Sequence, residues 1–148
     1  MGGEPSQAIG SFPQRHLADP VLLVPLLVVD VEAVLRDGNL LGRVLESFVV
    51  AQLRAEISVA KRLVRMYHLR TKEGRQEVDI LVETTRGIVA AQVKADAAPS
   101  RDAAKHLCWL RDELGERFRF GVVFHTGPNA FQLDDKIIAA PISTLWQR

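Results

Sequence analysis

The sequence has one cysteine, only 6% aromatic residues, no long hydrophobic run and a net charge of just +1 over 148 residues. Each shortage excludes something. Cys108 alone cannot close an intramolecular disulfide, and no Cys/His grouping has zinc-site spacing, so a reducing, cytoplasmic setting is expected. The most apolar stretch, Val21 to Val29, contains Pro25 and is too short to span a bilayer. It starts late, Asp30 and Glu32 close it, and no small-residue cleavage site follows, so it is not read as a signal peptide and no membrane association is expected. Neither G-x-x-x-x-G-K-[ST] nor G-x-G-x-x-G occurs, which removes the familiar nucleotide-binding loops. What remains, 47% hydrophobic and 25% charged, is the composition of one globular domain. At this length a compact fold buries roughly 70% of the surface its unfolded chain exposes, enough for a core without disulfides or a structural metal.

Residues 1–18, rich in Gly, Pro, Ser and Gln, read as a flexible leader or linker before a domain over 19–148. Asp19-Pro20 is a helix start, giving a short helix over 20–28. Asp30 can cap a second helix reaching Arg36, stopped by Asp37-Gly38-Asn39. The apolar residues from Leu40 to Ser58 recur at three- and four-residue steps over a wide arc, which predicts a deeply packed helix. Three strands follow, Leu63–Thr71, Gln76–Glu83 and Ile88–Ala95, separated by turns containing Gly74 and Gly87. A helix over 101–114 ended by Gly115, a strand over Arg119–His125, a short strand near Lys136–Ala139 and a helical turn around Ile142–Trp146 complete the chain. The order helix, three strands, helix, strand is an α/β arrangement with a mixed sheet.

Polar residues interrupt this apolar pattern at places that suggest chemistry. Asp79 stands inside EVDILVE, where an ionised carboxylate needs a partner, a proton or a metal. Gln92 and Lys94 are two apart on the next strand, hence on one face. Glu46 lies on the long helix in line with Val49, Val50 and Leu53. Asp79 and the Gln92 side-chain oxygen can bind Mg²⁺, with Glu46 bonding directly or through water. Lys94 can hold a water or hydroxide and offset charge on a phosphate, and metal-assisted phosphodiester hydrolysis is the reaction class that follows. Plainer roles stand beside these: Asp79 could pair with Arg70 or Arg75 across the hairpin, Lys94 could reach to water from a strand end, and Gln92 could be a satisfied polar residue.

The near-zero net charge conceals a basic segment. Between Arg54 and Arg75, seven basic residues (Arg54, Lys61, Arg62, Arg65, Arg70, Lys72, Arg75) stand against Glu56 and Glu73. A nucleic-acid backbone fits such a patch, with Arg62, Arg65, Arg70, Lys72 and Arg75 as its contacts; a solvated turn and helix end is the plainer alternative. His68 could assist at a phosphate, whereas His16, His106 and His125 show no ligand spacing.

The order Glu46, Asp79, Gln92-Val93-Lys94 resembles the PD-(D/E)xK nuclease superfamily in its Q-x-K form. The stretches RHLADP, LLGRVLESFVVAQL, YHLRTKEGRQEVDILVE, GIVAAQVKADAAPSRDA, GVVFHTG and IIAAPISTLW resemble one family, the uncharacterised C-terminal domain of prokaryotic AAA-type ATPases. That resemblance implies a restriction-endonuclease-like αβββαβ core, a Mg²⁺ site at Asp79, Gln92 and Glu46, and catalysis by Glu46, Asp79, Gln92 and Lys94. It implies DNA as substrate and an AAA-type ATPase domain as partner. The family's upstream ATPase domain has no room in 148 residues, so an excised domain or a stand-alone remnant is expected. Gln92 stands where most active superfamily members carry an acid, although Q-x-K also occurs in some active restriction-type and transposon-end nucleases. The competing expectation is an inactive nuclease fold that serves the ATPase as a regulatory or docking module, with residues 20–36 covering the core or pairing subunits.

Overall fold

The computed structural model describes residues 31–147. The leader over 1–18, the helix over 20–28 and the first part of the 20–36 pairing segment lie outside the described residues. Helix α1 spans Val31–Arg36 and α2 spans Gly38–Ser58. Asp37-Gly38-Asn39 stops α1 as expected and also starts α2: the Asp37 carboxylate accepts from the Asn39 and Leu40 amides at 3.0 and 3.2 Å. These bonds satisfy amides that a helix N-terminus leaves without partners.

Six strands follow in one sheet: β1 Arg65–Arg70, β2 Glu77–Thr84, β3 Gly87–Val93, β4 Phe118–His125, β5 Phe131–Asp134 and β6 Ile137–Pro141. The helix expected over 101–114 is a 3₁₀ turn, Arg101–Ala104, leading into α3, Lys105–Leu114. Gly115 ends it at φ +53°, where glycine alone carries no Cβ penalty. A last 3₁₀ turn covers Ile142–Trp146. β5 is not expected from the sequence. It is a four-residue edge strand joined to β6 through Lys136 at φ +58°, and the turn lacks the Asn-Gly or Asp-Gly signature that announces a tight hairpin.

The spatial order is β1-β2-β3-β4-β6-β5. β1, β2 and β3 form an antiparallel meander, β3, β4 and β6 run parallel, and β5 returns antiparallel to β6. The α/β class with a mixed sheet therefore holds. On one face, Val49 and Val50 of α2 pack with Ile80, Ala91, Val93 and Phe124. On the other, Leu107 and Leu110 of α3 pack with Val78, Leu81, Ala90, Val123 and Ile137. Each fully buried aliphatic side chain contributes roughly 1.5–3 kcal/mol, so the two layers hold the sheet from both sides. Val93, His125 and Pro141 end the three parallel strands at one end of the sheet, where the antiparallel β2 begins with Glu77. Open α/β sheets bind ligands at this carboxyl end. Thr126 fixes the chain here by donating from its amide to Asp96 O (3.1 Å) and from Oγ1 to Ala95 O (2.9 Å).

Candidate active site

A β-bulge sets the position of Asp79. Tyr67 pairs with Leu81 but Leu69 pairs with Val78, so the single residue His68 faces both Asp79 and Ile80. The extra residue reverses the alternation: Ile80 packs under α2 while Val78 and Leu81 pack under α3. The ladder between β2 and β3 stops at Ile80–Ala91. Beyond it the Asp79 carboxylate replaces a backbone acceptor, Oδ2 taking the Val93 N–H at 2.8 Å. Burial pushes the Asp79 carboxyl above its ordinary value, and Glu77 adds to this. The Val93 amide, the Lys94 ammonium and His68 act the other way. Among the described residues no ion pair joins Asp79 to Arg70 or Arg75.

Gln92 is 4% exposed, one residue before Val93. Its Nε2 donates to Glu77 O at 3.1 Å, which fixes the amide's orientation and leaves Oε1 buried without a hydrogen-bond partner. A buried acceptor left unmade costs about 1–3 kcal/mol. An oxygen-seeking ligand relieves that cost, and the donor set offered by Asp79 and Gln92 is all oxygen, as hard cations require. Mg²⁺ keeps several waters, so two protein oxygens fit it as part of an octahedral shell. Among the described residues no group of three or more His, Cys, Asp or Glu side chains is arranged to hold a metal, so the fit rests on the carboxylate–amide pair. Lys94 follows β3 directly, its amide donating to Phe124 O at 2.9 Å, and its charge acts on both Asp79 and His106.

The structure thus brings Asp79, Gln92 and Lys94 together at one end of the sheet. Glu46 is half-buried on α2, in line with Val49, Val50 and Leu53 as expected. That helix covers the Ala91 and Val93 face, whereas alternation puts Gln92 with Ala90 on the face under α3. Other residues also border the cluster. His68 Nδ1 lies 3.2 Å from Asp79 O and its Nε2 lies 3.3 Å from the Glu77 carboxylate, so it spans the bulge. His106, at the start of α3, lies 2.6 Å from Gln76 Oε1 through its Nδ1. Sequence reasoning misses Gln76, Glu77 and His106. The Glu77-x-Asp79 spacing is the one available signal, since two carboxyls two apart on a strand share a face until a bulge intervenes.

The basic segment divides. Arg70 ends β1 and the hairpin carrying Lys72 and Arg75 precedes β2, so these three project from the site's end of the sheet. Arg65 pairs with Glu83 at the far end of β1, and Arg62 precedes it. All five are exposed. Cys108 and Trp109 pack on the α3-side core, and burial pushes the Cys108 thiol up, the opposite of an activated nucleophile. Among the described residues no helix is long and apolar enough to cross a membrane.

No curated protein matches the chain. A family model, described as a domain of unknown function (DUF4143), matches residues 41–145. That span runs from the first turns of α2 to the closing 3₁₀ turn and takes in Asp79, Gln92 and Lys94, and the chain belongs to the DUF4143 family.

Proposed function

We propose that this domain has a restriction-endonuclease-like core and hydrolyses DNA phosphodiesters with a divalent cation, working with an AAA-type ATPase domain. The observation that carries the reading is the buried, unpartnered Gln92 Oε1 on the strand beside the desolvated Asp79 carboxylate. Asp79 and Gln92 would hold Mg²⁺. Bound there, the ion supplies Lewis-acid polarisation of a phosphate oxygen. Lys94 positions the attacking water and offsets charge that develops on the phosphate, a stabilisation strongest where water is excluded. Arg70, Lys72 and Arg75 supply backbone contacts on the approach, where each neutralised phosphate adds salt-dependent affinity without sequence preference.

The test is plasmid cleavage by the purified chain with Mg²⁺ or Mn²⁺. Wild type is expected to nick or linearise the plasmid, and Lys94→Ala to be slower by about a hundredfold or more. Equal cleavage by both proteins, or none by either, contradicts the reading. The placement of α2 favours a second reading. With Glu46 on the helix that covers the opposite face, the fold could serve the ATPase as an inactive docking or regulatory module. Under that reading Mg²⁺ leaves the protein's melting temperature unchanged.

A further inference from the structure

His106 has a geometry that the proposed reaction can use. With Gln76 Oε1 as the acceptor, the 2.6 Å contact puts the proton on Nδ1 of His106. The neutral ring then carries its lone pair on Nε2. Around the ring stand Lys105 on its own helix, Lys94 beyond β3 and Glu77 at the start of β2, all close enough for their charges to act on it. Burial pushes the imidazole below its ordinary value, and Lys105 and Lys94 add to this against Glu77. Gln76 adjoins Glu77, whose carbonyl holds Gln92, so the ring connects through two hydrogen bonds to the Asp79–Gln92 pair.

We propose that His106 Nε2 accepts the proton of the water that attacks the phosphodiester, with Gln76 holding the required tautomer. This role rests on the nuclease reading above. As the water oxygen bonds to phosphorus, one water proton passes to Nε2. The bond from phosphorus to the departing sugar oxygen breaks, and that oxygen takes a proton from solvent. His106 then returns its own proton to solvent. Lys94 aligns the water.

The experiment compares plasmid cleavage between pH 5 and 9 for the wild-type chain, His106→Ala, Gln76→Ala and Lys94→Ala, using Mg²⁺ as the added ion. Loss of a general base typically costs 10²–10⁴-fold, so His106→Ala is expected to cleave about a hundredfold more slowly. It should retain DNA affinity, lose the acid limb of the pH profile and regain activity in added imidazole. Gln76→Ala should fall between it and wild type. A His106→Ala variant that matches wild type while Lys94→Ala does not overturns this inference alone. A loss that imidazole fails to restore also overturns it. Absence of cleavage by the wild-type chain overturns both this inference and the nuclease reading. Nitrogen NMR of the imidazole gives an answer without turnover: a neutral ring protonated on Nδ1 supports the assignment, and one protonated on Nε2 contradicts it.

Discussion

Asp134 and Asp79, on strands near opposite edges of the sheet, show what the fold does with a carboxylate it uses for stability and one it does not. Asp134 is surrounded by donors: Arg101 Nε and Nη2 at 2.9 and 2.6 Å, Arg111 Nη1 at 2.9 Å and the Asp135 amide at 2.8 Å. These hold its carboxyl well below the usual range, the Arg101 hydrogen bonds foremost. They also tie the short edge strand β5 to α3 and the 3₁₀ turn before it. Asp79 accepts from the Val93 amide, one residue beyond Gln92 with its unpartnered amide oxygen, and burial pushes its carboxyl up. Stability alone would favour an uncharged residue there. Under the proposed reading, a divalent cation would engage both groups.

The contrast can be broken at either end. Asp134→Asn should give the largest loss, lowering the melting temperature at pH 7 more than substitution at Asp79, Gln92 or Arg75. Because the folded state depresses this carboxyl, its contribution is present above the ordinary carboxylate value. It disappears as pH falls through that value toward the folded one, so the two melting curves should converge in acid. Asp79→Asn should have the opposite sign. The folded state raises this carboxyl, so wild type loses stability as pH rises through the elevated value, and the asparagine variant does not. Its melting temperature should exceed that of wild type at pH 7 and approach it below the ordinary carboxylate range. Added Mg²⁺ should raise the wild-type melting temperature and leave the variant's unchanged.

Two smaller effects sharpen the same contrast. Gln92→Leu removes the orphaned oxygen but also leaves Glu77 O without its donor, so unfolding free energy should change by no more than about 1 kcal/mol. The same variant should lose the thermal response to Mg²⁺. Arg75→Ala breaks only an exposed pair with Glu73 and should change stability by less than ~0.5 kcal/mol. On the nucleic-acid side it should reduce the salt dependence of DNA binding by about one unit of slope, measured by anisotropy. Arg65→Ala, at the far end of β1, should leave that slope unaltered.

How much of the molecule is legible in its sequence depends on how local the cause is. The periodicity of Leu40–Ser58 announces α2, and Gly74 and Gly87 mark the two hairpins of the meander, because helix faces and left-handed turns are written in neighbouring residues. β5 is not legible: Phe131–Asp134 is held by pairing to β6 and by Arg101 and Arg111 from 33 and 23 positions away in sequence. The Asp79–Gln92–Lys94 grouping is legible from strand alternation and motif order. The bulge at His68 is not, since a one-residue slip between β1 and β2 leaves no trace in either strand alone. Nor is the Gln76–His106 contact, which joins residues 30 apart across the sheet–helix boundary. Glu46 illustrates the converse: its half-burial is readable from helical spacing, but the face of the sheet its helix covers is not.

Calorimetric titration of Mg²⁺ into the wild-type chain and into Asp79→Asn asks whether Asp79 and Gln92 form a cation site. One saturable site per domain is expected in wild type and none in the variant. No binding by wild type, or the same binding by both proteins, would contradict it.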